Sequence, residues 1–175
     1  MTRLCVDIPV VETDRLVLRE PRESDLEAHV AFMTGDRSRF VGGPVDRSQA
    51  VRGFMSMVGH WVFRGYGLWV MALKTDDTPI GRIGFIYPDG WDEPEIGWHV
   101  YDGHEGQGYA FEAAKAALPV GSAKFGLDGV ISYVAPGNAR SIALAERLGA
   151  TVERERELLG ATCRVYRHPK QAEAS

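Results

Sequence analysis

One stretch of this 175-residue chain concentrates glycine among polar side chains: Tyr101-Asp102-Gly103-His104-Glu105-Gly106-Gln107-Gly108-Tyr109-Ala110. It follows an apolar run that reads as a strand and opens a longer segment that reads as a helix. Glycine lets the backbone turn sharply and approach a ligand closely. The first amides of a helix have no intrahelical partner and donate to phosphate oxygens, so a diphosphate is the natural guest. The same residues also describe a plain turn followed by a close-packed helix start, and both readings stand at this point. Two specific phosphate motifs fit poorly. A Walker loop needs Gly-Lys-Ser/Thr, which is absent. A dinucleotide fingerprint needs Gly or Ala at its sixth position, where this chain has Phe111.

The elements that must hold this loop follow from periodicity and punctuation. Arg15–Arg19 reads as a first strand, and Ser24-Asp25-Leu26-Glu27 matches a capping box ahead of a helix carrying Leu26, Val30 and Met33. A second helix spans Ser48 to Arg64, with Val51, Phe54, Met55, Val58, Trp61 and Val62 at helical spacing and Gly65 and Gly67 to close it. Strands follow at Trp69–Leu73, Ile80–Tyr87 and Glu95–Val100, separated by Asp/Pro/Gly turns, as an antiparallel meander. The glycine loop then leads into a helix over Tyr109–Phe125, in which Pro119 should kink or break the chain. Val130–Val134 is a strand. Asn138 caps a short helix through Leu148, with Ile142, Ala145 and Leu148 inward, and Thr151–Glu157 and Thr162–Arg167 form a last hairpin. The order β-α-α-β-β-β-α-β-α-β-β predicts an α+β fold: a mixed, mostly antiparallel sheet of six to seven strands with helices on both faces and one parallel crossover. One domain over 1–175 is expected, with its core in 12–168 and a polar tail, 169–175, that frays.

Composition bounds the chemistry. Hydrophobic residues make up 45% of the chain, enough for a sizeable core, and the formal net charge of −4 argues against a nucleic-acid partner. Cys5 and Cys163 lack CxxC spacing, and the five histidines show no HExxH pattern, so neither a disulfide framework nor a metal site is expected. No apolar run approaches the ~20 residues that span a bilayer, and Met1–Val11 lacks a signal-peptide core. No membrane association and a cytoplasmic setting are the default.

Several segments, in order, carry a family resemblance. Glu105-Gly106-Gln107-Gly108-Tyr109-Ala110 resembles motif A of the GNAT acetyltransferases, and GQGYAFEA is similar to their RimJ/RimL-like branch. VAPGNARSIALAERLGA resembles that branch's motif B, EIGWHV the strand before motif A, and ETDRLVLREPRESDLEAH the first strand and helix. The similarity covers roughly residues 12–168. Two departures stand out. Glu105 replaces the usual Arg or Gln and would repel a diphosphate unless it points to solvent, and Pro119 falls inside the motif A helix.

The resemblance implies that strands 95–100 and 130–134 splay apart and admit the pantetheine arm of acetyl-CoA. That arm would pair with backbone around His99, Val100 and Tyr101, supplying the partner that a free strand edge lacks. The diphosphate would sit on the amides of Glu105, Gly106, Gln107, Gly108, Tyr109 and Ala110, and Asn138 would reach the pantetheine. The implied activity is N-acetylation of a primary amine, on a small molecule or a protein N-terminus, by direct attack in a ternary complex. Such a transfer needs a base for the ammonium, a donor for the carbonyl oxygen, here a backbone amide near Val100, and a proton for the departing thiolate. Glu95 is the expected base; otherwise it is an edge glutamate paired with a cation. Ser141 is the expected acid by its motif position, Tyr133 its rival, against local hydrogen bonding for the serine and core packing for the tyrosine. Trp91 would line the acceptor pocket, with Asp92 and Glu93 recognising a cationic acceptor. A homodimer follows by family analogy. An acyl-CoA sensor without turnover, or a packing role for the glycines, are the competing readings.

Overall fold

The computed structural model describes residues 6–171. Eight strands form one sheet in the order β1-β2-β3-β4-β5-β6-β8-β7. They are β1 Val11–Glu12, β2 Leu16–Arg19, β3 Leu68–Leu73, β4 Pro79–Ile86, β5 Glu95–Val100, β6 Ile131–Val134, β7 Thr151–Leu158 and β8 Ala161–Arg167. The two-residue β1, which carries too few residues for a periodic signal, takes the count past the expected six to seven. Among the described residues, only β5 and β6 pair in parallel. The helices are α1 Leu26–Thr34, α2 Arg47–Arg64, α3 Tyr109–Phe125 and α4 Ala139–Arg147.

Alternation along the strands sorts the core into two faces. Trp69, Met71, Ile83, Phe85 and Ile96 pack with Ala113, Ala114 and Ala117 of α3. The phenyl ring of Phe85 lies so close to α3 that a Cβ on Gly121 would overlap it. On the opposite face Phe54 and Met57 of α2 pack with Leu68, and α1 lies beside them.

Local chemistry sets the helix ends. Asp46 caps α2: its Oδ1 accepts from Gln49 N–H at 2.8 Å, and Gln49 Oε1 accepts from Asp46 N–H at 3.2 Å. Gly65, at φ 75°, ends it. The buried stripe of α2 is Ala50, Phe54, Met57 and Trp61. Met55 and Val58, expected inside, are 52% and 40% exposed. The expected box at Ser24 and Glu27 does not form either. Asp25 goes inward to meet the buried Arg19 guanidinium with two bonds of 2.9 Å, and its Oδ2 also accepts from Arg22 N–H. Residues Glu23–Asp25 thereby become a 3₁₀ turn, and Glu27 pairs with Arg47 instead.

Pro119 does not break α3, which is continuous through it. It lies on the exposed side, as does Lys115 four residues before. The Lys115 carbonyl, which loses its helical donor, therefore belongs to a residue on the exposed side of the helix. The tail is tied at its start, where Gln171 N–H donates to Asp128 Oδ1 at 2.8 Å. Residues 172–175 and Cys5 lie outside the described residues.

Candidate functional site

β5 and β6 share a single register pair, Glu95 with Ile131. Two side chains end the ladder there. Glu95 Oε2 accepts from Tyr133 N–H at 2.9 Å, and Ser132 Oγ donates to Ile96 O at 2.7 Å. Beyond them the strands part. Tyr101 N–H donates to Ile80 O, toward β4. Antiparallel alternation therefore points the backbone groups of His99 and Tyr101 at β4, and those of Trp98 and Val100 into the gap. Of the three residues expected to pair with a cofactor, only Val100 presents its backbone to the gap. Trp98, outside the expected set, is the second.

At one end of the gap lies the glycine loop. Gly103, Gly106 and Gly108 have φ of 85°, 76° and 81°, which only glycine adopts without strain. Among the described residues, the amides of Gly106 through Phe111 donate to no protein group. Arg15 braces the loop: it donates to Gln107 O at 3.0 Å, pairs with Glu112 at 2.7 Å and lies 4.5 Å over the Tyr109 ring. Glu105 neither repels a diphosphate with a bare charge nor points away unpaired. Arg37, from the α1–α2 connection, holds its carboxylate at 2.5 Å and Asp102 at 3.0 Å. A loop amide and then Arg37 keep the Glu105 carboxyl below its usual range. Beside the loop opens a groove of 690 Å³ lined by Arg15, Gly106, Gly108, Phe111, Lys115 and Arg147. Arg147 stacks 3.9 Å over Phe111. Glu12, Asp14 and Glu112 line the groove as well, so the free amides and the strand edge, with Lys115 and Arg147 beside them, are what fit the diphosphate and arm of coenzyme A.

α4 delivers the motif B residues to the same gap. Asn138 Oδ1 accepts from Ser141 N–H at 3.2 Å, so Asn138 is the helix cap. Ser141 Oγ accepts from Trp98 Nε1 at 3.3 Å, which brings the hydroxyl against β5. It donates to no group among the described residues.

The remaining candidates cluster at the head of the gap, on the α1/α2 face. Glu95 is 8% exposed, and burial pushes its carboxyl up to about 7 against the bonds from Tyr133 N–H and Trp91 Nε1. The Trp91 bond is 2.8 Å, so Trp91 orients Glu95, with its ring edge-on to Tyr133 at 6.0 Å. The Tyr133 hydroxyl accepts from Asp92 N–H at 3.2 Å and from Arg156 at 3.3 Å. Asp92 pairs with Arg154 and Arg156, and Glu93 with Arg167 at 2.5 and 2.8 Å. Arginines of the final hairpin thus neutralise both carboxylates that were expected to meet a cationic acceptor. These arginines, like Arg37 and Lys115, lie outside the quoted motifs; only the folded chain brings them to the site, as it does Arg147, whose place in motif B gave no sign of it. Cys163 is a buried thiol donating to Arg156 O, and burial raises it.

A strand pair that opens past one register position, beside a glycine loop of free amides, is the arrangement the resemblance implies, and the chain belongs to the GNAT acetyltransferase family. The acetyltransferase (GNAT) domain family matches residues 15–151. The crystal structure of an acetyltransferase from Agrobacterium tumefaciens str. C58 is 36% identical, with a TM-score of 0.87, covering 97% of this chain and 99% of that one. YoaA of Bacillus subtilis (strain 168), described as an uncharacterized N-acetyltransferase, is 27% identical over 148 residues, 81% of this chain and 82% of that protein. RimL, a ribosomal L7/L12 alpha-N-protein acetyltransferase solved with coenzyme A, shares the fold with a TM-score of 0.75 at 17% identity, over 93% of this chain and 98% of that one. At that identity the likeness extends to the fold and leaves the RimJ/RimL-like branch open.

Proposed function

We propose that the protein transfers an acetyl group from acetyl-CoA to a primary amine by direct attack in a ternary complex. The observation that carries this reading is Glu95: a buried carboxyl poised near neutral pH at the head of the open seam. Next to it, Gly97 presents no side chain, and a Cβ built there meets nothing within 4 Å. An acceptor amine over Gly97 lies within reach of Glu95, directly or through one water. Glu95 takes the ammonium proton, because a base with a pKa near the working pH combines availability with driving force.

Acetyl-CoA supplies the activated acyl group. The amides of Gly106 to Phe111 hold its diphosphate, and Trp98 and Val100 backbone pairs with its arm. The Val100 amide stabilises charge on the carbonyl oxygen. Ser141, with its own proton free, serves the departing sulfur. Tyr133 is the weaker donor, since Asp92 and Arg156 already engage its hydroxyl. The acceptor is a small-molecule amine or a protein N-terminus; YoaA, described as an N-acetyltransferase, supports an amine.

Thiol release from acetyl-CoA against a panel of amines and peptides tests the reading. Turnover is expected, with Glu95→Gln and Ser141→Ala each lowering kcat. Wild-type turnover in both variants across several pH values overturns the assigned roles, and absence of acetyl-CoA binding by calorimetry overturns the function.

A further inference from the structure

A cluster next to this site has no part in acetyl transfer as described. Arg82 of β4 is 7% exposed, under α1 and α2. Among the described residues no carboxylate reaches it. Its Nε donates to His99 Nδ1, one terminal nitrogen approaches His29 Nδ1 at 3.3 Å and Met57 Sδ at 3.5 Å, and the other Met33 Sδ at 3.5 Å. Every acceptor is neutral. A buried cation without a counter-anion is costly, and low polarity around it strengthens its attraction for any anion that arrives.

The network fixes both imidazoles. His29 Nε2 meets Ala50 O at 3.1 Å and must donate there, leaving Nδ1 to accept from Arg82. His99 Nδ1 accepts from Arg82, so its own proton sits on Nε2. Burial, and then Arg82, hold His99 well below its usual pKa and His29 at about 4, so both rings are neutral. Phe32 stacks on His99 at 5.7 Å and 24°, setting the ring plane. His99 is partly open to solvent, and its Nε2–H has no partner among the described residues. The cluster therefore uses its imidazole lone pairs internally and keeps donors to spare. A carboxylate, which only accepts, is its complement.

Position supports the match. Glu95, Gly97 and His99 alternate along one face of β5, so His99 and Glu95 flank the bare glycine on the acceptor side of the sheet. We infer that His99 Nε2–H, backed by the Arg82 charge, binds the carboxylate of an amino-acid-like acceptor whose amine lies over Gly97. His99 is then a substrate-binding residue and Arg82 a positioning residue acting through it. The inference rests on the acetyl-transfer reading and narrows its acceptor class to amines that bear a carboxylate.

The test compares amino acids, their carboxamides and amines lacking the carboxylate in thiol release from acetyl-CoA. The carboxylate should lower KM at least tenfold. Arg82→Met and His99→Phe should raise KM for amino acids more than tenfold beyond any change for carboxylate-free amines, with kcat changed less than threefold. His99→Asn, which keeps a donor, should recover part of the loss. Equal KM for acid and amide in the wild type overturns the inference. So does a uniform loss across all acceptors in the variants, which would put His99 on the acetyl oxygen instead. A second measurement needs neither variants nor turnover: the His99 ring NMR signals should shift on adding an N-acetyl amino acid and not an N-acetyl alkylamine. Absence of that difference also overturns the inference. Absence of thiol release with every amine counts against acetyl transfer, while the NMR comparison still reads the pocket.

Discussion

On the acetyl-transfer reading, burying Glu95 trades stability for reactivity. Its folded pKa of about 7 lies above the ordinary value of 4.5. Between those two pH values the folded protein binds more protons than the unfolded chain, so this group's contribution to stability falls as pH rises through the window. Glu95→Gln should therefore lose less stability than the wild type between about pH 4.5 and 7, as read by urea midpoints at each pH. In the same variant kcat/KM should drop roughly 10²- to 10⁴-fold and lose its rise through neutral pH, as read by thiol release. Arg37→Ala should weaken acetyl-CoA binding, because Glu105 would then face the diphosphate without its counter-ion, and Glu105→Gln should restore it; calorimetry measures both. Residues at this scale were legible where they lay inside a motif: Glu95 opens EIGWHV, and Ser141 and Asn138 sit in motif B. Arg37, Arg82 and Lys115, outside any motif, were not. Each acts on a partner from another element, and a single chain of letters carries no mark of that meeting.

At the scale of elements, local grammar and tertiary demand compete. The capping pair at Asp46 and Gln49 and the glycine stop at Gly65 operate as their residue types suggest. The Ser24–Glu27 box loses because Arg19, buried at the end of β2, requires Asp25. The apolar pattern of α2 supports more than one inward stripe, and the sheet selects the one through Phe54, Met57 and Trp61. The glycine of α3 matters more than its proline. Gly121→Ala should destabilise the fold by about 1–3 kcal/mol in urea unfolding, since the Phe85 ring has nowhere to retreat in a packed core. Asn138→Ala should cost about 0.5–2 kcal/mol through the lost cap of α4, and calorimetry should show weaker acetyl-CoA binding as the helix start loosens.

Across the whole molecule, the meander, the final hairpin and the parallel crossover follow from the alternation of predicted elements, whereas the seat of β8 beside β6 and the width of the opening do not. That width is set by Glu95 and Ser132, whose side chains substitute for backbone partners at Tyr133 N–H and Ile96 O. The sheet is thus two half-sheets, β1–β5 and β6–β8, hinged at one backbone rung. Such a hinge leaves the inner margin of each half to exchange its amide protons with solvent, and a ligand lying along it acts as a rivet. Deuterium uptake at Trp98 and Val100 should be fast in the free protein and slow with coenzyme A, while Ile83 and Phe85 one strand away change little. A molecule stitched together by its own substrate gains cohesion when it is ready to react and loses it on product release.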